Sequence, residues 1–335
     1  MRQSFCFGAI VAALATFCLL NSAQATTVTF GSGSDTFNIE FMPIGNPGNT
    51  ADTSGNPNPA GQVNYLYEMG KLEISRQQVN RVNNLSGLGI TMGDLATPVN
   101  YGGNGNQKPA TSISWREAAR FVNFLNTDQG FSPAYKFALQ PGDVGYTIAA
   151  NNELWAPSDP GYNASNQFRN SNALFFLPSL DEWYKAAYFN PNTLAWRNYA
   201  TGDGVPSIVT SGVAGGAVYN QLGGNGLGPA IVSESASLSL HGTLGQTGNV
   251  WEILETASDL TNNDPAEQRI RRGGGWNVTD ATTMSVSFFN SSNPQQEQEF
   301  TGFRVAMVPE PSSIALLGLG AISLTVLARR RMTAR

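Results

Sequence analysis

Both cysteines of this 335-residue chain lie in its first eighteen residues, and this position limits the fold more than any other feature of the sequence. Cys6 and Cys18 belong to an apolar run, FCFGAIVAALATFCLL, that follows Arg2 and precedes the small-residue sequence AQA. This order is typical of a signal peptide over residues 1–25, with a mature chain that begins at Thr26. The mature chain then holds no thiol, which excludes disulfides, thiolate metal sites and a cysteine nucleophile.

The C-terminal residues 308–335 contain a Pro-Glu-Pro motif, an apolar run and an arginine cluster, in that order. The apolar run, residues 314–328, is short for a permanent membrane helix, and the arginines at 329–331 favour a cytoplasmic end. The residues alone therefore predict a weak single-span anchor. The same order resembles the PEP-CTERM sorting signal of Gram-negative bacteria. That resemblance implies cleavage by an exosortase, transient anchoring in the inner membrane, and release to the envelope surface or the exopolysaccharide matrix.

Charge is scarce between these two signals. Charged residues make up 13% of the chain, the net charge is −5, and the central part of the sequence has no basic patch. A protein that binds nucleic acid clusters its lysines and arginines to neutralise phosphates, so the sequence predicts no nucleic acid partner. Asparagine, glycine, serine and threonine replace the charged residues and predict a polar surface.

Strand and loop patterns alternate along the chain after Thr26. Phe37, Ile39 and Phe41 alternate with other residues, as in a strand with one buried face. A run rich in Gly, Pro and Asn, residues 45–61, predicts a loop. Residues 194–244 show almost no usable period, and we find no tandem repeat.

Three helix start signals interrupt these strands and loops. Each is a capping box, in which a serine is followed three residues later by Gln or Glu, and the serines are Ser75, Ser114 and Ser179. Together the patterns predict a single loop-rich α+β domain over residues 26–307. Six tryptophans are available to anchor its loops, and an exposed subset that forms a binding platform is the alternative.

Five segments occur in a recognisable order over roughly residues 65–306. They are YEMGKLEISRQQVNRVNN, PATSISWREAARFVNFLN, LPSLDEWYKAAYFNP, GNVWEILE, and RRGGGWN followed by NSSNPQQEQEFTGFRVA. The series resembles the formylglycine-generating enzyme, or sulfatase-modifying factor, superfamily. This resemblance implies a loop-rich variant of the C-type lectin fold, with two mixed regions and little regular structure.

The reactive residues of that superfamily's enzymes are missing from this chain. Its oxidases use two cysteines that hold copper, and the resemblance places this pair on Ala281 and Val286. Neither residue can replace the thiolate pair that selects Cu(I). The superfamily's iron enzymes of ergothioneine synthesis need several histidines, whereas this chain has only His241. We interpret His241 as a satisfied surface or core side chain; a Ser-His-Asp arrangement stays open, although no nucleophile elbow lies near it.

Calcium is the metal that the remaining residues can accept. The resemblance implies a site in which the Glu252 side chain and the backbone carbonyls of Gly248 and Val250 are ligands. The upstream Asn or Asp ligand of the family is replaced by Gly245, so we expect a weak site. In the alternative, Glu252 accepts local backbone N–H groups in a tight loop.

Arg272, Trp276 and Arg304 belong to the most recognisable motifs and are candidates for a binding cleft. The arginines suit anions or carboxylates, but they are equally able to donate to loop carbonyls inside the fold. The glycine triplet 273–275 is expected to permit close backbone packing or positive φ.

Three functions are consistent with these observations. The first is an exported, non-catalytic surface module that binds saccharide or protein in the envelope or the exopolysaccharide matrix. The second is an oxidase of the formylglycine-generating type, or another metal-dependent enzyme, with an unusual active site. The third is a structural matrix protein without a small ligand. Signal peptidase and exosortase are the partners expected during export.

Overall fold

The computed structural model describes residues 24–222, 227–235 and 237–309. Most of the predicted signal peptide and the apolar run 314–328 lie outside the described residues. Within the described ranges, no helix has the length and apolarity needed to cross a membrane.

Three α-helices and fifteen mostly short strands occur in the described residues. The helices are α1 (Arg76–Ser86), α2 (Trp115–Asp128) and α3 (Leu180–Tyr188). The strands are β1 (Thr26–Phe30), β2 (Phe37–Ile44), β3 (Tyr67–Gly70), β4 (Lys136–Phe137), β5 (Asn152–Glu153), β6 (Phe175–Phe176), β7 (Phe189–Asn190), β8 (Ala195–Trp196), β9 (Ser207–Ile208), β10 (Gly216–Ala217), β11 (Trp251–Ala257), β12 (Arg269–Arg272), β13 (Asn290–Ser292), β14 (Thr301–Gly302) and β15 (Ala306–Met307). The predicted loop-rich α+β class is confirmed.

The first sheet has five antiparallel strands in the order β1-β2-β3-β15-β6. Phe37, Ile39 and Phe41 of β2 are buried, which confirms the predicted alternation. They pack with residues of α1 and α2 in the main hydrophobic cluster. Each buried side chain of this size stabilises the fold by about 1.5–3 kcal/mol relative to an exposed one.

Each helix begins after the serine that the sequence predicts. Ser75 caps α1, Ser114 caps α2 and Ser179 caps α3. In all three boxes the serine hydroxyl accepts a hydrogen bond from the backbone N–H three residues later, and the Gln or Glu there accepts one from the serine N–H. Two otherwise unpaired donors are satisfied at each helix start, which fixes where the helix begins.

The second sheet brings the family motifs together. Its strand order is β13-β12-β11-β14, and β11 pairs antiparallel with β12 and parallel with β14. Glu252 of β11 lies opposite Arg272 on one side and Gly302 on the other. The register therefore places GNVWE, RRGGG and TGFR side by side, although they are far apart in sequence.

The segment 194–244 forms only two-residue strands and one short 3₁₀ turn in its described residues, as its lack of period predicts. Four tryptophans elsewhere are buried, and Trp155 and Trp196 are half-buried. No tryptophan is exposed as a platform, so these rings anchor loops.

Candidate functional site

A buried ion pair between Glu252 of β11 and Arg304 lies at the centre of the motif-bearing region. Both side chains are 0% exposed. Nε and Nη2 of Arg304 donate to the two carboxylate oxygens of Glu252, each at 2.5 Å, which makes the pair bidentate. The indole Nε1 of Trp183 donates to Oε2 of Glu252 at 2.6 Å. We refer to Glu252, Arg304 and Trp183 as the Glu252 cluster.

Arg304 finds an acceptor for every donor that it has. Besides Glu252, its Nη1 donates to the carbonyls of Gly70 at 2.8 Å and Lys71 at 3.3 Å, and its Nη2 donates to the carbonyl of Leu244 at 2.7 Å. A guanidinium has five N–H donors, and all five are used. The interpretation that Arg304 bonds loop carbonyls is confirmed. No sequence pattern indicates that Glu252 supplies its counter-charge.

The geometry leaves Glu252 poorly suited to calcium. Both of its carboxylate oxygens accept hydrogen bonds, and the Arg304 guanidinium would repel a cation there. Among the described residues, no group of three or more His, Cys, Asp or Glu side chains could hold a metal ion. The alternative, in which Glu252 accepts local backbone N–H groups, is wrong, because its partners are distant side chains. A calcium site at Gly248, Val250 and Glu252 remains a prediction that this donor set does not favour.

Gly245 cannot take the missing ligand without strain. Its φ is +83°, and a Cβ there would lie 2.8 Å from Oγ of Ser235 and 2.9 Å from Cδ of Glu73. L-residues rarely adopt this backbone conformation, and both neighbours would have to move. A Gly245→Asp change would also place a carboxylate against Glu73, so it would not simply complete a calcium site.

Glu73 is a second buried carboxylate beside the cluster, and the sequence analysis did not single it out. Its Oε2 accepts from Nδ2 of Asn249 at 2.6 Å, and its Oε1 accepts from the N–H of Val250 at 3.3 Å. Burial, followed by the charge of Glu252, raises the pKa of Glu73 well above its usual range. Its carboxyl group is therefore a second acceptor for the loop that enters β11.

Arg272 of β12 joins separate loops through its guanidinium. Its Nη1 donates to the carbonyl of Asn56 at 2.6 Å and to the carbonyl of Phe288, and its Nη2 donates to the carbonyl of Val286 at 3.1 Å. The guanidinium also lies 5.1 Å from the ring centroid of Tyr184. The interpretation that Arg272 bonds loop carbonyls is confirmed.

The glycine triplet lets the chain turn closely past buried side chains. Gly273 and Gly274 have φ values of +92° and +68°. A Cβ on Gly274 would collide with Met284, and one on Gly275 would lie 2.9 Å from Cδ1 of Trp251. Both expectations for the triplet, positive φ and close packing, are confirmed.

Trp276 is fully buried and packs against Tyr101 with a ring-centroid distance of 4.5 Å. Arg272 and Arg304 are buried as well. The prediction that Arg272, Trp276 and Arg304 line an open cleft is therefore not supported, because the fold uses all three side chains internally.

Ala281 and Val286, where the resemblance places the oxidase cysteines, are both buried in apolar surroundings. Ala281 belongs to a cluster with Tyr219 and Met284, whereas Val286 belongs to a different cluster with Trp183. Neither contributes a polar side chain. The two positions now serve packing, and they give copper no ligand.

His241 is buried and stacks on Phe189, with ring centroids 6.4 Å apart and an interplanar angle of 12°. Burial, followed by the charge of Lys185, lowers its pKa to about 4. Its Nε2 has no hydrogen-bond partner among the described residues. The core location of His241, one of the two predicted alternatives, is confirmed, whereas the prediction of a satisfied side chain fails for Nε2 within the described residues.

A second buried ionic network lies around Arg169, in a loop where the sequence gives no signal for it. Nη1 and Nη2 of Arg169 donate to the two carboxylate oxygens of Glu182, both at 2.9 Å, and its Nε donates to Glu255 at 2.7 Å. The hydroxyl of Tyr135 donates to Glu255 at 2.8 Å. Glu182 is also the glutamate of the α3 capping box, and Glu255 lies on β11, so the network links this helix to that strand.

An open groove of about 880 Å³ lies beside the Glu252 cluster. The groove is lined by described residues of the 201–244 segment together with Glu40, Lys71 and Leu72. Leu244 lies in the groove, and its N–H donates to the carbonyl of Lys71 at 2.7 Å. Arg304 donates to the carbonyl of Lys71 and to the carbonyl of Leu244. Both residues line the groove, so the Glu252 cluster holds part of the groove lining in place.

The groove combines polar groups with exposed apolar side chains. Lys71 pairs with Glu40 at 2.9 Å across a partly exposed surface. Glu234 also lines the groove, as do Val213 and Leu238, which are 54% and 55% exposed. No sequence pattern predicts this groove.

The fold and the buried motif residues define a formylglycine-generating-enzyme-like domain, a loop-rich variant of the C-type lectin fold. The chain belongs to the sulfatase-modifying factor enzyme 1-like family, whose domain matches residues 30–308. Residues 308–331 match the PEP-CTERM protein-sorting motif, which implies export to the cell envelope and processing by an exosortase.

Curated relatives include hercynine oxygenases. The chain is 31% identical over 148 residues to the enzyme of Mycolicibacterium thermoresistibile, a match that covers 39% of this chain and 31% of the relative. It is 32% identical over 146 residues to the enzyme of Mycobacterium tuberculosis, which covers 39% of this chain and 32% of the relative. The chain thus spans about a third of the length of the curated relatives it matches.

Solved structures share the fold. Treponema denticola variable protein 1 superposes with a TM-score of 0.56 at 18% identity, covering 86% of this chain and 100% of that one. CarF superposes with a TM-score of 0.55 at 17% identity, covering 81% of this chain and 99% of that one. At these identities the likeness extends to the fold alone.

Proposed function

We propose that this chain is an exported, non-catalytic member of its family that binds a saccharide of the envelope or the exopolysaccharide matrix, with a surface protein as the alternative ligand. The observation behind this proposal is the burial of Ala281 and Val286 in two apolar clusters at the positions of the oxidase cysteines. With both cysteines of the chain in the predicted signal peptide, no thiolate remains to hold Cu(I).

The groove chemistry favours a saccharide with little negative charge. Glu40 and Lys71 neutralise each other, and Glu234 adds one carboxylate. Carboxylates and lysine bond sugar hydroxyls, while Val213 and Leu238 offer apolar contact for the face of a sugar ring. Glu234 would repel an anionic polymer, because Lys71, the cation of the described groove lining, is already paired with Glu40.

An enzyme is the second candidate, and the likeness to hercynine oxygenases is the observation that favours it. Their name describes an oxygenase, and the matched part is a third of their length. The residues of this chain do not fit such a metal centre, because its single histidine, His241, is buried against Phe189.

Glycan binding by the mature protein tests the proposal. The extracellular polysaccharide of the host and neutral oligosaccharide arrays are the probes, with Glu234→Ala as the groove variant and Glu153→Ala, on β5, as the matched control. Loss of one charge-assisted hydrogen bond should weaken binding by about tenfold or more for Glu234→Ala, and Glu153→Ala should bind normally. Equal binding by the two variants would show that the ligand does not bind in the groove.

An oxidase assay separates the enzyme from the binding module. We expect the mature protein to show no copper- or iron-dependent oxidation of a cysteine peptide, and elemental analysis to find neither metal at stoichiometric levels. Turnover of the peptide by the unmodified protein would contradict the non-catalytic proposal.

We further propose that processing leaves a mature chain from Thr26 to the Pro-Glu-Pro region, after transient anchoring in the inner membrane. Support comes from the signal peptide pattern over residues 1–25 and the sorting motif over 308–331. Intact mass of the secreted protein measures both cleavages. A secreted chain that retains the arginines at 329–331 would argue against exosortase processing.

A further inference from the structure

A cavity of about 290 Å³ is lined by residues from the start of β1 and the end of β15, two strands that β2 and β3 separate in the sheet. Thr26 and Glu68 contribute to it from the strands, and Met307 and Pro309 line it near the C-terminal limit of the domain. The cavity is thus adjacent to both places where the chain is expected to be cut during export.

Glu68 of β3 is the unusual residue in this cavity. Glu68 is only 8% exposed, and its Oε1 accepts one hydrogen bond, from Oγ1 of Thr26 at 3.1 Å. Its Oε2 is buried and has no hydrogen-bond partner among the described residues. Burial raises the pKa of Glu68, as expected for a carboxyl group without a cation beside it. A buried carboxylate oxygen without a partner costs free energy, so a donor at this place would be stabilising.

Strand register shows which donor can reach it. Thr26 lies opposite Phe41 in the β1–β2 pair, and Pro43 lies opposite Glu68 in the β2–β3 pair. Because β1 and β2 are antiparallel, the backbone that precedes Thr26 runs toward the row of Pro43 and Glu68. The hydroxyl of Thr26 already reaches Oε1 of Glu68 at 3.1 Å, and the α-nitrogen is only three bonds from that hydroxyl oxygen, so it lies close to the same carboxylate.

We infer that Glu68 and this cavity form a binding site for the α-ammonium group of Thr26, which exists only after the signal peptide is removed. Hydrolysis of the Ala25–Thr26 peptide bond leaves a carboxylate on Ala25 and an ammonium on Thr26. The ammonium gives Oε2 of Glu68 a charged donor and links β1 to β3 across β2. Processing thereby completes an ion pair that the precursor lacks, and the mature chain is more stable than the precursor at this edge of the sheet.

A comparison of N-terminal forms tests the inference. The mature chain that begins at Thr26 is compared with its Nα-acetylated form, each with and without Glu68→Gln; Glu40→Gln, on the adjacent strand, is the matched control. In the free-amine form Glu68→Gln should reduce the folding equilibrium constant by about tenfold or more at pH 7. A tenfold change corresponds to a shift of one unit in the pKa of the Thr26 ammonium. In the acetylated form the loss should be several times smaller, and Glu40→Gln should act equally in both. Equal losses for Glu68→Gln in both forms would overturn the inference.

The protonation of the amine gives a second readout that needs no Glu68 variant. The pH dependence of amine labelling should place the pKa of the Thr26 ammonium above the usual range of about 7.7–8.0, because a nearby carboxylate favours the charged form. A value within or below that range would contradict the ion pair. N-terminal sequencing of the exported protein should begin at Thr26, and a different start would also overturn the inference.

Discussion

The Glu252 cluster and the 201–244 segment are neighbours that differ in almost every physical respect. The cluster is fully buried, and each donor of Arg304 has an acceptor. The described part of the segment forms two-residue strands and exposes Val213 and Leu238 on an open groove. The residues that identify the family thus hold the fold together, whereas the proposed binding groove is lined largely by a stretch with no family motif.

Under the proposed function, the family motifs and the ligand-binding surface lie in separate parts of the domain. Buried ion pairs are costly to break and tolerate little change, so their sequence is recognisable. An exposed loop can change its side chains at little cost in stability. If the proposed function is right, this chain keeps the fold of an enzyme family without its reaction.

The largest effect is expected from breaking the Glu252 cluster. Arg304→Ala should destabilise the protein by about 3–5 kcal/mol, because it leaves Glu252 buried without its counter-charge. Arg81→Ala is the matched control, since that half-buried side chain donates to the carbonyl of Thr36 rather than to a buried carboxylate, and we expect a change of about 1 kcal/mol. Denaturant unfolding measures both, and equal midpoints would contradict the structural role of the cluster.

Lowering the pH should destabilise the protein through His241, which belongs to the 201–244 segment. Its folded-state pKa of about 4 lies below the ordinary 6.5, so the unfolded state binds more protons between these values. The stabilisation is present above pH 6.5 and is lost as pH falls toward 4, by up to about 3 kcal/mol. His241→Phe keeps a ring against Phe189 and should flatten the stability curve in this window. Parallel curves for the two proteins would show that His241 is not held neutral.

The positions of the oxidase cysteines should behave as packing sites. Val286→Ala should cost about 2 kcal/mol of the free energy of unfolding, because it removes buried methyl groups and leaves a cavity.

The double variant Ala281→Cys with Val286→Cys tests the same two positions through Cu(I) binding. If the loop had kept the enzyme geometry, they would bind Cu(I) tightly; because the two side chains pack in different clusters, we expect no tight site. Stoichiometric Cu(I) binding in a competition titration would show that the geometry survives.

The smallest stability effect is expected in the groove. Leu238→Ser should change the free energy of unfolding by less than about 0.5 kcal/mol, because the side chain is largely exposed. The same variant should bind the host polysaccharide more weakly, since it removes an apolar contact. A loss of stability with unchanged binding would reverse the roles assigned to the two regions.

Local signals were predictable from the sequence, and contacts between distant residues were not. Ser75, Ser114 and Ser179 identified the helix starts because a capping box involves residues only three positions apart. Glu252 and Arg304 are 52 residues apart, and their pairing depends on the register of β11 and β14. Sequence patterns placed them in a calcium site and a cleft, because spacing alone does not reveal a buried counter-ion.

The groove was beyond sequence analysis for a related reason. Residues 194–244 have no period, so neither their short strands nor the groove that they line with Lys71 could be derived. Glu73 was equally hidden, because its partner Asn249 is 176 residues away. The candidate site therefore emerged only when the sheet register was known.

Hydrogen exchange with and without the host polysaccharide tests the central claim most directly. If the 201–244 segment binds the ligand and the motif region only supports it, slower exchange on binding should be confined to residues 201–244 and the neighbourhood of Lys71. Residues 272–290, which contain Ala281 and Val286, should exchange at the same rate in both states. Protection that appears in residues 272–290 and not in 201–244 would contradict the account, because the ligand would then occupy the region where the family's enzymes keep their cysteines.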